Sequence, residues 1–320
     1  MTETSVATPR TTRVGLVGTG PWAGATHAPA LAAHAGVEFA GVWGRRAGAA
    51  AELAAGHGTR AYEDLDALFA ACDAVAFALP PDVQAPLAVR AAEAGCHLLL
   101  DKPVATAPAA ARAAADAAER AGVASVVFCT LRFAGPTVRW IDEQAGAGGW
   151  FTARAHWLGS LYGSGSQSPY AASPWRREKG GLWDVGPHVL SVLLPVLGDV
   201  TEIRAVAGPA DTRHLTMRHA SGASSTATVT LSAPPAAAEV GLTLYGERGS
   251  VELPDWGDAR SAFTGAVDAL LEAARTGVPH ACDIRFGVRL TELLAEAEGS
   301  VGAGGGAGDG AVRAAAPSAG

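Results

Sequence analysis

The chain has 320 residues, 49% hydrophobic and 17% charged, which allows a sizeable core in one large or two ordinary domains and excludes global disorder. The formal net charge is −7 with no basic stripe, so a nucleic-acid partner is not expected. Cys72, Cys96, Cys129 and Cys282 lack metal-ligand spacing; they read as reduced core thiols, and no metal site is expected.

Residues 1–12 are polar and lack the apolar run of a secretory signal. No segment is expected to span a membrane, and a cytoplasmic location follows as the expectation.

Residues 13–19 read as a short buried strand running into Gly18-Thr19-Gly20-Pro21-Trp22-Ala23, a G-x-G-x-x-[G/A] sequence that opens a helix over residues 23–35. Gly18 permits the tight turn, Gly20 lets the backbone approach a pyrophosphate, and Ala23 allows close helix packing, while the helix N-terminus offers N–H groups to the anion. A glycine turn without a dinucleotide is the alternative, but the motif heads a β/α series, the context such a site requires.

A second strand over 37–42 ends at Trp43-Gly44-Arg45-Arg46, before a helix over 47–56. NAD sites commonly place an acid here for the ribose 2′-OH. Arg45 and Arg46 could instead pair with a 2′-phosphate, or stand solvated at the helix start. NADP(H) is the expected cofactor, with NAD(H) possible.

A strand over 73–78 ends at Leu79-Pro80-Pro81, and a helix over 84–94 is closed by Gly95. The next strand, 97–100, ends at Asp101-Lys102-Pro103. Ligands of open α/β sheets lie beyond the carboxyl ends of the strands, so Lys102 can enter a cleft and exchange a proton with a reacting oxygen; a plain surface lysine is the alternative. A helix over 108–121 and a strand over 125–129 complete a doubly wound parallel sheet.

The pattern changes near residue 130. A strand over 151–158 carries His156 and Trp157, and residues 159–181 read as a long Gly-, Ser- and Pro-rich loop with Tyr170, Trp175, Arg176, Arg177 and Lys179. His156, Trp175 and Arg176 are candidate substrate contacts, with loop packing and solvated charge as the alternative. A helix over 182–197 opens with Leu182-Trp183-Asp184-Val185-Gly186-Pro187-His188. At this spacing Asp184 and His188 share a helical face, where the carboxylate can orient the imidazole for acid–base work. An N-capping Asp beside a surface His is the alternative. Five extended segments between 200 and 253 read as antiparallel strands, followed by helices near 261–276 and 284–298. The expected division is a dinucleotide domain over 12–130, an α+β domain over 131–298 on a large, mostly antiparallel sheet, and a disordered Gly/Ala-rich tail over 299–320.

Taken together, Gly18-x-Gly20-x-x-Ala23, Asp101-Lys102-Pro103 and Gly180-Gly181-x-x-Asp184-x-Gly186-x-His188 resemble the glucose–fructose oxidoreductase / inositol dehydrogenase (Gfo/Idh/MocA) family over about residues 12–298. The resemblance implies a Rossmann domain plus an open-sheet domain whose face commonly makes the dimer contact, hence a homodimer or homotetramer. It also implies that Lys102, Asp184 and His188 match the family's Lys–Asp–His catalytic set, that Gly18 to Ala23, Leu79, Pro80, Asp101 and Lys102 lie at the cofactor, and that Lys102, Asp184 and His188 meet the substrate. Two positions depart from the family pattern: Asp101 stands where Glu is usual, and Gln84 where His is usual. The implied activity is hydride transfer between nicotinamide and a carbinol or carbonyl of a sugar, cyclitol or sugar-like metabolite. The alternatives are a redox-neutral hydrolase or lyase around a retained NAD, and a non-catalytic cofactor sensor.

Overall fold

A computed structural model describes residues 11–301. The central strands of the first half carry continuous apolar runs, over residues 14–17, 74–77, 98–100 and 126–128, as a sheet covered on both faces requires. They are β1 (Thr12–Val17), β2 (Val37–Trp43), β3 (Ala61–Tyr62), β4 (Ala74–Phe77), β5 (His97–Asp101) and β6 (Ser125–Phe128). All pair in parallel, in the order β3-β2-β1-β4-β5-β6, the doubly wound arrangement of a Rossmann sheet. The crossovers are α1 (Ala28–Ala33), α2 (Ala47–Gly56), α3 (Leu65–Ala71), α4 (Pro81–Glu93) and α5 (Pro108–Ala121). The helix expected over 23–35 begins instead as a π-helical turn, Ala23–His27, before α1. The stretch containing β3 and α3 carried no sequence assignment, although Asp64 caps α3 by accepting from the Asp66 and Ala67 N–H groups.

In the second half, α6 (Gly135–Ala147) leads into β7 (Trp150–Leu158), α7 (Pro174–Asp184) and α8 (Gly186–Leu197). The strands β8 (Val200–Ala207), β9 (Arg213–His219), β10 (Ser224–Thr230), β11 (Glu239–Gly246) and β12 (Gly249–Glu252) then join β7 in a sheet of order β12-β11-β7-β10-β9-β8. Every neighbouring pair is antiparallel except β7 with β10. One face is apolar, with Ile203, Leu215, Met217, Ala227 and Val229 buried; the residues between them are polar and largely exposed. Helix α8 is almost wholly buried, packing between β7, α6 and the C-terminal helix α10 (Ile284–Ser300).

Three expectations are corrected. Residues 159–181 are not all loop, because α7 starts at Pro174 behind Ser173. Pro174–Leu197 is long and apolar enough by length and composition to cross a membrane, contrary to the expectation that no segment would be. It is nonetheless a kinked pair of helices, turned at Gly180, whose most apolar 18-residue stretch is 94% buried inside the protein. Gly299 and Ser300, placed in the tail by sequence, close α10, and the Ser300 hydroxyl accepts from the Ala205 N–H at 2.8 Å; the remainder, 302–320, lies outside the described residues. The C-terminal helices also return to the first sheet. Helix α9 (Ala259–Thr276) packs on β5, β6 and α1, and α10 joins α5 and β6 to β8.

Candidate active site

The turn after β1 is built on glycine. Gly18 has φ +135°, and a Cβ there would lie 2.4 Å from the Ala78 carbonyl oxygen. Around Gly20 nothing lies within 4 Å of the Cβ position, which leaves its backbone open to an approaching ligand. That is the cradle a pyrophosphate needs ahead of a helix start. Arg45 and Arg46 follow β2 and are exposed. Leu79 and Pro80 follow β4, Pro80 being the N-cap of α4.

The residues at the end of β5 are held from below by Gln84. Its side-chain amide donates to the carbonyls of Asp101 (2.8 Å), Val104 (3.2 Å) and Pro103 (3.3 Å) and accepts from the Asp101 N–H (2.8 Å). Gln84 is fully buried on α4, so this clamp fixes the strand end that carries Lys102. A glutamine can do so because it offers a donor and an acceptor on one rigid plane.

The Lys102 ammonium crosses to the second half of the chain, donating to the Asp184 carbonyl at 2.6 Å and to Asp184 Oδ1 at 3.1 Å. Arg176 Nε donates to Oδ2 of the same carboxylate at 3.0 Å. Both Lys102 and Asp184 side chains are about nine-tenths buried. Burial works to raise the Asp184 carboxyl, but Lys102 and Arg176 outweigh it and hold it below the ordinary value. Asp101, adjacent and buried, moves the other way: burial pushes its carboxyl up to about 6 despite Lys102 and Arg176.

His188 is buried in the first turn of α8. Burial, helped by Lys102, holds its imidazole well below its ordinary value, so the ring is neutral. Asp184 does not orient it, contrary to expectation. A break at Val185 ends α7 and starts α8 between the two residues, and Asp184 spends its oxygens on Lys102 and Arg176. His188 Nδ1 is buried without a partner, and the ring is set by stacking on Trp157, with centroids 4.6 Å apart and planes 16° apart. Nor does Asp184 cap α8, whose N-cap is Val185.

Lys102, Asp101, Asp184, His188 and Arg176 line one cavity of about 260 Å³ with Trp22, Thr130, Trp157, Leu161, Tyr170, Val185 and Leu231. Three aromatic side chains thus share the cavity with a cluster of charge, the mix of apolar wall and a few polar groups that small-molecule sites use. Trp22 comes from the glycine turn and approaches Tyr170 edge-on at 6.3 Å, so the two halves of the chain meet across the cavity mouth. His156 and Trp175, expected at the substrate, are not among the lining residues. His156 lies beside Gly241, 3.4 Å from the Glu239 carboxylate, and Trp175 lies under the Arg176 guanidinium at 4.7 Å. Thr130, Leu161 and Leu231 drew no attention in the sequence because nothing local distinguishes them from core residues.

Comparison with known proteins agrees with this architecture. Residues 12–128 match the model of the oxidoreductase family with an NAD-binding Rossmann fold, and 147–252 match the GFO/IDH/MocA C-terminal domain. A UDP-N-acetylglucosamine 3-dehydrogenase of Acidithiobacillus ferrooxidans is 40% identical over 91 residues, a stretch that spans 28% of this chain and 28% of that relative. Among solved structures, GenD2 from gentamicin A biosynthesis, in complex with NAD, superposes with a TM-score of 0.79 at 22% identity, over 91% of this chain and 94% of its own. The WlbA dehydrogenase of Bordetella pertussis, in complex with NADH and UDP-GlcNAcA, gives 0.78 at 23% identity, over 92% and 96%. At these identities the structural likeness establishes the fold, and the two family matches, which together cover most of the chain, establish the lineage. The chain belongs to the Gfo/Idh/MocA family of NAD-binding oxidoreductases.

Proposed function

We propose that the chain is a dehydrogenase or reductase acting on a carbinol or carbonyl of a sugar, cyclitol or sugar-like metabolite, with NADP(H) preferred over NAD(H) and Lys102 exchanging the hydroxyl proton. The observation that carries this is the Lys102 ammonium, held against Asp184 inside the aromatic cavity. Bound nicotinamide supplies or accepts the hydride at its C4. Gly18 to Ala23, Leu79 and Pro80 would hold that cofactor. Lys102 gives a proton to the substrate oxygen in the reducing direction and takes it back in the oxidising one. Asp184, kept ionised, fixes the ammonium and offsets its charge. His188 is a poorer proton donor, because burial and Lys102 keep it neutral; it can still hydrogen-bond a substrate hydroxyl. Trp22 and Trp157, the latter stacked on His188 and Trp256, give the cavity an apolar wall for the C–H groups of a pyranose or cyclitol. The names of relatives support this class, since the printed substrates include UDP-N-acetylglucosamine and a putative myo-inositol dehydrogenase from Sinorhizobium meliloti is among the structural neighbours. A homodimer or homotetramer is the assembly that accompanies this reading, and light scattering checks it.

The reading is tested by screening sugars, cyclitols and their nucleotide conjugates for reduction of NADP+ or NAD+ at 340 nm. No turnover with any member, in either direction, would overturn it. The cofactor site yields two further expectations. Arg45→Asp should move the ratio of NADP(H) to NAD(H) affinity toward NAD(H) by about tenfold or more, the loss of one charge-assisted contact; wild-type protein that already binds NAD(H) as tightly as NADP(H) would contradict the preference. Gly18→Ala should lower the melting temperature, since its backbone strain alone costs about 1–3 kcal/mol. Gly20→Ala has open space for its methyl group and should leave the melting temperature unchanged while weakening cofactor binding. Equal thermal effects of the two would show that the turn is packed otherwise.

A further inference from the structure

Asp211 lies outside the cavity and outside every motif that drew attention in the sequence, in the turn between β8 and β9. Its carboxylate reaches back across the second half of the chain. Oδ2 accepts from the Gly181 N–H at 2.7 Å and the Leu231 N–H at 2.9 Å, and Oδ1 accepts from the Thr230 hydroxyl at 2.7 Å. Burial works to raise this carboxyl, but its hydrogen-bond donors, Ser232 and Thr230 foremost, hold it below the ordinary value. The segments it joins have no slack. Gly180 turns with φ +64°, and a Cβ on it would lie 2.8 Å from Asp211 Cβ. A Cβ on Gly181 would lie 2.6–2.9 Å from the Thr230 backbone. Three residues beyond Gly181 is Asp184, which holds Lys102 and Arg176; next to Thr230 is Leu231, in the cavity wall.

We propose that Asp211 is a positioning residue: by tying the Gly180–Gly181 corner of α7 to the end of β10, it sets where the Asp184 carboxylate meets Lys102. Its catalytic consequence rests on the proton-transfer role proposed for Lys102 above; its structural consequence does not. Three hydrogen bonds from two separate segments converge on one ion there, and no other side chain in the described residues is shown to bridge the same two segments.

The chain contains two lysines, Lys102 and Lys179, and Lys179 adjoins the Gly180 corner, so Lys102 is followed against an added lysine-containing reference peptide. The full-length protein is treated with acetic anhydride, and the acetylation rates of Lys102 and of that peptide are compared by mass spectrometry. Asp211→Ala should raise the ratio of Lys102 to reference-peptide reactivity roughly tenfold, the effect of losing hydrogen bonds to a charged group. Asp211→Asn, which keeps an acceptor for the two N–H groups, should stay within about threefold of wild type. Should Asp211→Ala fail to fold, Thr230→Val removes one of the bonds and should shift the ratio in the same direction. Once a substrate is known, Asp211→Ala should lower kcat by about 10- to 100-fold with little change in cofactor affinity. An unchanged reactivity ratio in folded Asp211→Ala, or in folded Thr230→Val where the alanine variant does not fold, would overturn the proposal. A shifted ratio in a protein that turns over no sugar would sustain the positioning role and count against the assigned reaction instead.

Discussion

Lys102→Met is expected to lower turnover by about 10²–10⁴-fold while leaving NADP(H) affinity within a few-fold, the range that loss of a positioned general acid–base group produces. Methionine keeps the length and apolar stem of lysine and removes only the ammonium, so the cavity keeps its shape. What is lost is the cation opposite Asp184 and, on the proposed reading, the proton that accompanies hydride transfer. The Asp184 charge then remains buried against Arg176 alone, at 3.0 Å. Asp184→Asn should also be slow, because it removes the charge that offsets the ammonium, although the main-chain carbonyl of residue 184 still accepts from Lys102 at 2.6 Å. His188→Ala should cost less than Lys102→Met, since the proposed reading gives the proton to Lys102 and burial holds the His188 imidazole neutral. A His188 variant slower than the Lys102 variant would exchange their assignments.

Acid destabilisation through His27 is the second large effect expected. His27 ends the π-helical turn under the glycine motif, 1% exposed, with its ring 4.1 Å from Phe263 and edge-on to Phe128. Burial pushes its imidazole down to about 3, with only weak opposition from the Trp22 and Phe77 carbonyls. Its folded value lies below its unfolded one, so its contribution is present above about 6.5 and is lost as pH falls, because the unfolded chain takes up a proton that the native state refuses. At about 1.4 kcal/mol per pH unit, the loss attributable to His27 is about 3 kcal/mol by pH 4.5 and about 4 kcal/mol by pH 3, where the native ring begins to protonate too. Asp101 works in the opposite sense. Its folded value, about 6, lies above its unfolded one, so it favours the native state increasingly as pH falls from about 6 toward 4. The wild-type profile sums these two effects with those of the other shifted groups, His188, Asp184 and Asp211 among them, and comparison with His27→Leu isolates the first. Urea unfolding at pH 7.5 and 4.5 should show the wild type losing about 3 kcal/mol more than His27→Leu over that interval. Parallel profiles would show that the ring finds a proton partner in the native state.

The first half of the chain was legible because its chemistry is local. Strands buried on both faces must be continuous apolar runs, and Gly18, Gly95 and Pro80 punctuate them where backbone geometry demands it. The missed elements also carried local signals. Asp64 before Leu65, Leu68 and Phe69 is a capped helix at i, i+3, i+4 spacing, and Ser173-Pro174 is a helix start hidden within a Gly- and Ser-rich stretch. Missing α7 led directly to the misjudged Asp184–His188 pair, because a single helix from 182 would have put them on one face. The true partner of Asp184 is Lys102, 82 positions away, and no local spacing can reveal such a pair. Side chains alternate along β7, so sequence could say that only one of His156 and Trp157 faces the cavity; the fold shows that it is Trp157. Gln84 marked a departure from the family pattern, and only the fold shows that it clamps the strand end that presents Lys102.

A crystal structure of the protein with NADPH tests the central claim most directly, that hydride and proton transfer share the cavity of Lys102, Asp184 and His188. The expected result is a pyrophosphate on the Gly18–Ala23 turn and the nicotinamide C4 facing that cavity, with the Lys102 ammonium still on Asp184. A nicotinamide ring directed elsewhere, or a Lys102 side chain turned away from the ring, would contradict it.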